Sequence, residues 1–129
     1  MAVQNSIKKV SYANEKQILI APELAFTIGC QVTNTGISAN EEGRKILKAG
    51  TPVGGGDVLT NRNVVLSQNT SAPVGVILND VDVTGGQMNA TLVVSGVVDT
   101  LKLDTDVQAL VATASANLDK VTFMKGIKD

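Results

Sequence analysis

Short aliphatic segments, each ended by glycine, proline or small polar residues, recur along most of this 129-residue chain. Their lengths suit β-strands, and a spacing of roughly 8–12 residues is typical of a small sandwich or barrel. Only Tyr12, Phe26 and Phe123 are aromatic, whereas eighteen residues are valine, so small and β-branched side chains must fill the interior. The predicted extended segments cover residues 17–20, 24–28, 46–48, 64–66, 74–78, 80–84, 91–98 and 121–124.

Three stretches predict how these segments are connected or interrupted. Residues 31–45 are rich in polar, charged and glycine residues, which favours an exposed surface connection. The consecutive glycines 54–56 indicate either a flexible loop tip or a place where two backbones pass closely. Gly96 interrupts a valine-rich segment and predicts a bulge or a barrel bend there.

One segment has the periodicity of an amphipathic helix. Its apolar face comprises Val107, Leu110, Val111, Ala114 and Leu118. Thr105 and Gln108 have the spacing of a capping box, so we predict a helix over about residues 105–117. A doubly wound fold would need several such helices. We therefore predict a mainly β fold, a small β-barrel or β-tulip-like domain with one amphipathic helix in its C-terminal half and an extended N-terminal arm.

The length fits one domain. We assign residues 1–12 to a flexible N-terminal arm and residues 13–129 to a single β-rich domain. The arm is polar and basic, with Lys8 and Lys9 available to an acidic partner surface and with Ile7, Val10 and Tyr12 as apolar anchors. The alternative is a frayed terminus without a binding role.

Histidine is absent, which excludes Ser-His-Asp and Cys-His nucleophiles and imidazole zinc ligands. The single Cys30 cannot form an internal disulfide and is predicted to be a buried small apolar residue. Eleven basic and twelve acidic side chains give a net charge of −1, so no cationic excess is available for phosphates or anionic lipids. We expect no enzyme activity, no cofactor, no metal, and neither a nucleic acid nor a membrane as partner.

No apolar run approaches the roughly 18 residues that span a bilayer, and residues 1–9 lack the apolar core of a signal peptide. We therefore expect a soluble protein that is not exported by a signal peptide and is made in a reducing cytoplasm.

Three further features are candidate binding or catalytic sites. Asp80 and Asp82 lie two apart and share a strand face, which could hold calcium or form a carboxylate pair, although a solvent-facing polar row is the favoured interpretation. The glycine-rich residues 50–57 lack a following Gly-Lys-Ser/Thr and no helix starts there, which argues against a phosphate site. Lys125 lies too near the C-terminus for the hairpin lysine of biotinyl and lipoyl domains.

The order of several motifs resembles that of tailed-phage head decoration proteins, in particular the phage head fibre proteins and the related lambda-type capsid decoration proteins. The motifs are YANEKQILI at 12–20, GRKILKAGTPV at 43–53, VGVILNDVDVT at 74–84, VSGVVD at 94–99 and VTFM at 121–124. Asn79 stands where the family often has histidine, and Val97 where it often has a bulkier residue. These differences bear on membership and not on mechanism.

The resemblance implies a structural virion protein that is made in the host bacterial cytoplasm and binds the capsid exterior. Its implied partners are the major capsid protein and two further copies of itself, as a homotrimer at three-fold or quasi-three-fold positions. It would cement the shell through an arm that becomes ordered there. The expected capsid-binding residues are Ser6, Ile7, Lys8, Lys9, Val10, Ser11 and Tyr12.

Two other functions remain open from the sequence. One is a small β-barrel that recognises carbohydrate or a host surface component, which is disfavoured because sugar sites use aromatic platforms and Phe26 and Phe123 lie in core-like runs. The other is an enzyme that uses Asp80 and Asp82, which is the weakest of the three.

Overall fold

The computed structural model describes residues 17–126, which form nine strands and one α-helix. The strands are β1 (Leu19–Ile20), β2 (Phe26–Val32), β3 (Ile46–Leu47), β4 (Pro52–Gly54), β5 (Val65–Gln68), β6 (Pro73–Ile77), β7 (Val81–Asp82), β8 (Met88–Asp99) and β9 (Val121–Met124). Helix α1 spans Thr105–Ala114, and 3₁₀ turns lie at Pro22–Leu24, Thr100–Lys102 and Ser115–Asn117. The predicted arm, residues 1–12, lies outside the described residues. No helix within 17–126 is long and apolar enough to cross a membrane.

Five strands close into a barrel in the order β8, β2, β5, β4, β6 and back to β8. The β2–β5 pair is parallel and the other pairs of the barrel are antiparallel. The barrel closes at Leu92, which lies opposite Ile28 of β2 on one side and Ile77 of β6 on the other. The predicted class, a small β-barrel with one helix in the C-terminal half, is confirmed.

Strand β8 is twelve residues long and changes partners at Gly96. Before this residue it pairs with β2 and β6, whereas from Gly96 onward it pairs with β9 in parallel and with β1 in antiparallel orientation. Gly96 has a φ of +148°, and a Cβ added there would lie 3.0 Å from Cβ of Ala25. The ladder with β2 also shifts register beside this point. The predicted interruption at Gly96 is confirmed, and both its backbone conformation and the crowding favour glycine.

The two faces of β8 bury different side chains, because alternate residues of a strand point in opposite directions. Leu92 and Val94 belong to the barrel core, while Val93 and Val98 belong to a second core that also contains residues of α1. The barrel core comprises Cys30, Val32, Leu47, Val53, Val58, Leu66, Ile77, Val83, Leu92 and Val94, so the predicted burial of Cys30 is confirmed. The second core comprises Ile18, Leu19, Ala49, Val76, Val93, Val98, Leu103, Val107, Val111, Ala114, Leu118 and Val121.

The glycines of residues 54–56 show a close backbone approach at Gly54. This residue ends β4, and a Cβ added to it would collide with the backbone carbonyl of Ala72. Gly55 and Gly56 are exposed. The glycine-rich segment 50–57 therefore contributes a strand to the barrel before it turns outward.

The structure corrects the sequence analysis of β2. This strand continues to Val32, into the segment that was predicted to be an exposed connection, and Val32 is fully buried. Pairing of the strand with β8 and β5 decides its length here and overrides the weak strand propensity of Gly29 and Gln31. Phe26 was assigned to a core-like run but is 53% exposed, since it precedes the register shift opposite Ser95.

The start of α1 was also predicted wrongly in one detail. Thr105 is the first helical residue and not a cap, because Asp104 holds the N-cap position and makes no side-chain capping bond. The Gln108 side chain donates instead to the carbonyl oxygens of Thr100 and Leu103, at 2.9 and 3.0 Å. The helix and the 3₁₀ turn after it together cover the predicted residues 105–117.

Candidate functional site

A groove of about 660 Å³ lies between α1 and the outer side of β3. Arg44, Ile46 and Lys48 line it, because they alternate along the chain with Leu47, which points into the barrel core. The other lining residues are Gly36, Ile37, Ser38, Asn40, Thr51, Gln68, Asp80, Asp106, Val107 and Leu110. The segment 36–40 and the first turns of α1 thus enclose the groove from different sides.

Lys48 joins the start of α1 to the strand below it. Its Nζ lies 3.0 Å from Asp106 Oδ2 and 3.5 Å from Asp104 Oδ2. The hydrogen bond to Asp106 is the main reason that the pKa of Lys48 is raised above its ordinary value. All three side chains are partly exposed, so the pairing contributes only about 0–1 kcal/mol to stability. Its structural effect is to fix the position of a cation and two carboxylates along the groove.

Asp82 is held by both Thr84 and Arg44. Its Oδ1 accepts from the Thr84 hydroxyl at 2.6 Å and from the Thr84 backbone N–H at 3.0 Å, and its Oδ2 accepts from Arg44 Nε at 2.9 Å and from a terminal guanidinium N–H of Arg44. The hydrogen bonds from Thr84 first, and then the Arg44 guanidinium, lower the pKa of Asp82 to about 2. The bond from Thr84 N also turns the chain after β7, which is why that strand is only two residues long.

Asp80 has a separate role from Asp82. Its Oδ1 accepts from the backbone N–H of Ala49 at 2.8 Å and so fixes the turn that follows β3. The two carboxylates that the sequence placed on one face therefore serve two different contacts. Among residues 17–126, no group of three or more Cys, Asp or Glu side chains could hold a metal ion.

The groove combines apolar walls with ion-paired charged side chains. Ile37, Ile46, Val107 and Leu110 supply the apolar surface. Two carboxylates, Asp80 and Asp106, and two cations, Arg44 and Lys48, line the groove. The ion-pair partners of these cations, Asp82 and Asp104, bring the number of nearby carboxylates to four. A site of this shape suits an extended chain with apolar and basic side chains better than a compact anion.

A second candidate surface lies where the chain leaves β1. Leu24 is 79% exposed and Phe26 is 53% exposed, within a few residues of each other. Ala21, which precedes the Pro22–Leu24 turn, has left-handed φ and ψ of 56° and 61°. A non-glycine residue in this region costs roughly 1–2 kcal/mol, so the surrounding structure holds the chain in a turn that presents Leu24 to solvent.

Most of the site residues predicted from the sequence lie in the N-terminal arm. Ser6, Ile7, Lys8, Lys9, Val10, Ser11 and Tyr12 lie outside residues 17–126, so their assignment to a binding arm stays a prediction. Lys125 is exposed just after β9. The groove could not be predicted from the sequence, because its lining comes from segments near residues 40, 68, 80 and 108 that only the packing of α1 on the barrel brings together.

No family model matches the chain, and no curated protein matches it.

Proposed function

We propose that this protein is a capsid decoration protein, which binds the outside of an assembled phage head and stabilises the shell. In this proposal it acts as a homotrimer at three-fold or quasi-three-fold positions, with the major capsid protein as its partner. The order of motifs that resembles phage decoration proteins supports the proposal from the sequence. A compact barrel that carries exposed apolar side chains just after β1 supports it from the structure.

The observation that carries the proposal is the exposure of Leu24 and Phe26 next to β1. Leu24 and Phe26 lie two residues apart in the chain, and two large exposed apolar side chains so close in sequence are an expected feature of an interaction surface. Full burial of an exposed side chain of this size contributes roughly 1.5–3 kcal/mol, and Phe26, which is only 53% exposed, would contribute the smaller share. Because residues 1–16 enter the domain through β1, a partner that covers Leu24 and Phe26 lies within reach of the predicted arm.

The mechanism is binding linkage. A protein that binds the assembled shell but not the dissociated subunits stabilises the shell by mass action. A trimer also multiplies weak contacts, since the second and third copies bind at a high effective concentration once the first is attached. Ordering an arm costs roughly 1–2 kcal/mol per residue in backbone entropy, which pairing with a shell strand and burial of Ile7, Val10 and Tyr12 must offset.

The experiment is co-sedimentation of the purified protein with expanded, undecorated capsids of the parent phage, followed by cryo-electron microscopy of the pellet. We expect bound copies grouped at three-fold positions. The variant Leu24→Ser/Phe26→Ser should bind at least about tenfold more weakly, because it removes the apolar surface. Its matched control is Leu59→Ser, which alters another exposed leucine, 50% exposed, in a different loop.

Absence of binding at micromolar concentrations would refute the proposal and would make a glycan screen of the free protein the next measurement. Binding that Leu24→Ser/Phe26→Ser and Leu59→Ser weaken equally would keep the decoration role and reject this surface as its basis.

A further inference from the structure

We propose that the groove beside α1 is the docking site, in the free protein, for residues 6–12 of the same chain. The inference concerns the isolated molecule and does not depend on the capsid role. Three observations support it: the charge of the groove, the unpaired side of β3 and the position of Ile18.

The first observation is complementary charge and apolar character. Asp80 and Asp106 line the groove together with Arg44 and Lys48, and Asp82 and Asp104 are ion-paired with these two cations. The segment 6–12 carries Lys8 and Lys9. Ile7, Val10 and Tyr12 flank these lysines, and the groove offers the apolar side chains of Ile37, Ile46, Val107 and Leu110. A basic and apolar segment therefore meets an apolar surface whose two cations are already ion-paired and around which four carboxylates lie.

The second observation is that β3 pairs only with β7 among the described residues. Val83 N donates to Lys45 O at 2.8 Å, so the backbone groups of Ile46, one residue further on, point away from β7. On the edge of β3 that faces away from β7, Asn40 N donates to Arg44 O at 2.8 Å. Next to this hydrogen bond, Ser38 and Ile46 both line the groove. An extended segment that enters between them finds backbone donors and acceptors as well as side chains.

The third observation is reach. Ile18 shares the second core with Ala49 and Val107, and Val107 also lines the groove. Ile18 is thus buried in the same cluster as one wall of the docking site. Residues 13–17 span at most about 18 Å when extended, which is enough chain to return from Ile18 to the neighbouring groove. The linker of residues 13–17 is therefore long enough for residues 6–12 to dock in the groove of the same molecule.

The test is hydrogen–deuterium exchange of the full chain, read by mass spectrometry on peptides that cover residues 6–12. We expect exchange in this segment to be at least about tenfold slower than in an unstructured chain. The variant Leu110→Lys removes an apolar contact and adds a positive charge in the groove, so exchange should return to the unstructured rate. Ala112→Lys is the matched control, because Ala112 is exposed on the same helix and does not line the groove.

A second variant leaves the barrel untouched. Lys8→Glu/Lys9→Glu should speed exchange in residues 6–12 and also in the 36–40 segment, while β8 peptides keep their wild-type protection. Exchange at the unstructured rate in the wild type would overturn the proposal, as would protection that Leu110→Lys leaves intact. Protection that disappears on dilution would assign the groove to a second copy and overturn docking within one chain.

Discussion

The carboxylate of Asp99 accepts a hydrogen bond from the backbone N–H of Gly126 at 2.9 Å, and the same oxygen accepts from Leu101 N at 3.0 Å. One side chain at the end of β8 therefore caps the following 3₁₀ turn and holds the chain that leaves β9. This contact reinforces the parallel pairing of β8 with β9, which lies outside the closed barrel.

Replacing Asp99 should loosen β9. We expect Asp99→Ala to lower the free energy of unfolding by about 1–3 kcal/mol, because two backbone donors lose their partner. Asp99→Asn keeps the accepting oxygen and should cost clearly less. Urea denaturation measures both values, and equal losses in the two variants would contradict the role of this oxygen.

Gly75 lies where β6 passes close to β8. A Cβ added to it would lie 2.5 Å from the carbonyl oxygen of Val93, so Gly75→Ala should destabilise the barrel by about 1–3 kcal/mol. Gly29→Ala is the control, since Gly29 in β2 has nothing within 4 Å of an added Cβ and its φ is not positive. That variant should be neutral or stabilising by up to about 1 kcal/mol in the same urea titration.

Asp82 should make stability depend on pH under acid conditions. Its pKa is about 2 in the folded protein, below the value of roughly 3.9 for an unfolded chain. Between these values the unfolded state binds more protons, so the free energy of unfolding should rise with pH from about 2 to 4 and lose this contribution as the pH falls. Asp82→Asn should flatten that slope in urea titrations at several pH values.

The same urea titrations rank the causes of the lowered pKa of Asp82. Thr84→Ala removes the hydroxyl donor and keeps the backbone N–H, whereas Arg44→Ala removes the guanidinium. We expect the slope to fall in Thr84→Ala, because the bond from the Thr84 hydroxyl is the largest single cause of the lowered pKa. A larger effect of Arg44→Ala would show that charge pairing dominates instead.

Glycine should stabilise the folded protein more than alanine does at position 21. Its left-handed conformation favours glycine, so Ala21→Gly should raise the free energy of unfolding by up to about 1 kcal/mol. Ala25 follows the same 3₁₀ turn with an extended φ of −83°, and Ala25→Gly should lower stability by about 0.5–1 kcal/mol. Thermal unfolding of both variants gives the comparison, and a loss of stability in Ala21→Gly would show that the turn is not strained.

The class of fold could be predicted from local patterns because valine-rich segments and a single amphipathic helix leave few alternatives. The bend at Gly96 followed from one residue type inside a strand. The continuation of β2 to Val32 could not be predicted, since β8 and β5 supply its hydrogen bonds from distant positions. Likewise, nothing local showed that the side chain of Phe26 would lie outside the core.

The candidate sites were predictable to different degrees. The sequence predicted that Asp80 and Asp82 share a strand face, but their partners Ala49 and Arg44 come from another part of the chain. The groove has no signal of its own in the sequence because it depends on where α1 packs. The capsid-binding role of Ser6 to Tyr12 remains a prediction.

The place of β8 in the barrel also determines when the protein can fold during its synthesis. Strands β2 and β6 are complete at residues 32 and 77, but both need β8, which ends at residue 99, before the barrel can close. A chain emerging from the ribosome therefore keeps β2 and β6 without their shared partner until β8 has also emerged. Closure of the barrel waits for this one strand, and α1 and β9, which follow it in the chain, can pack only afterwards.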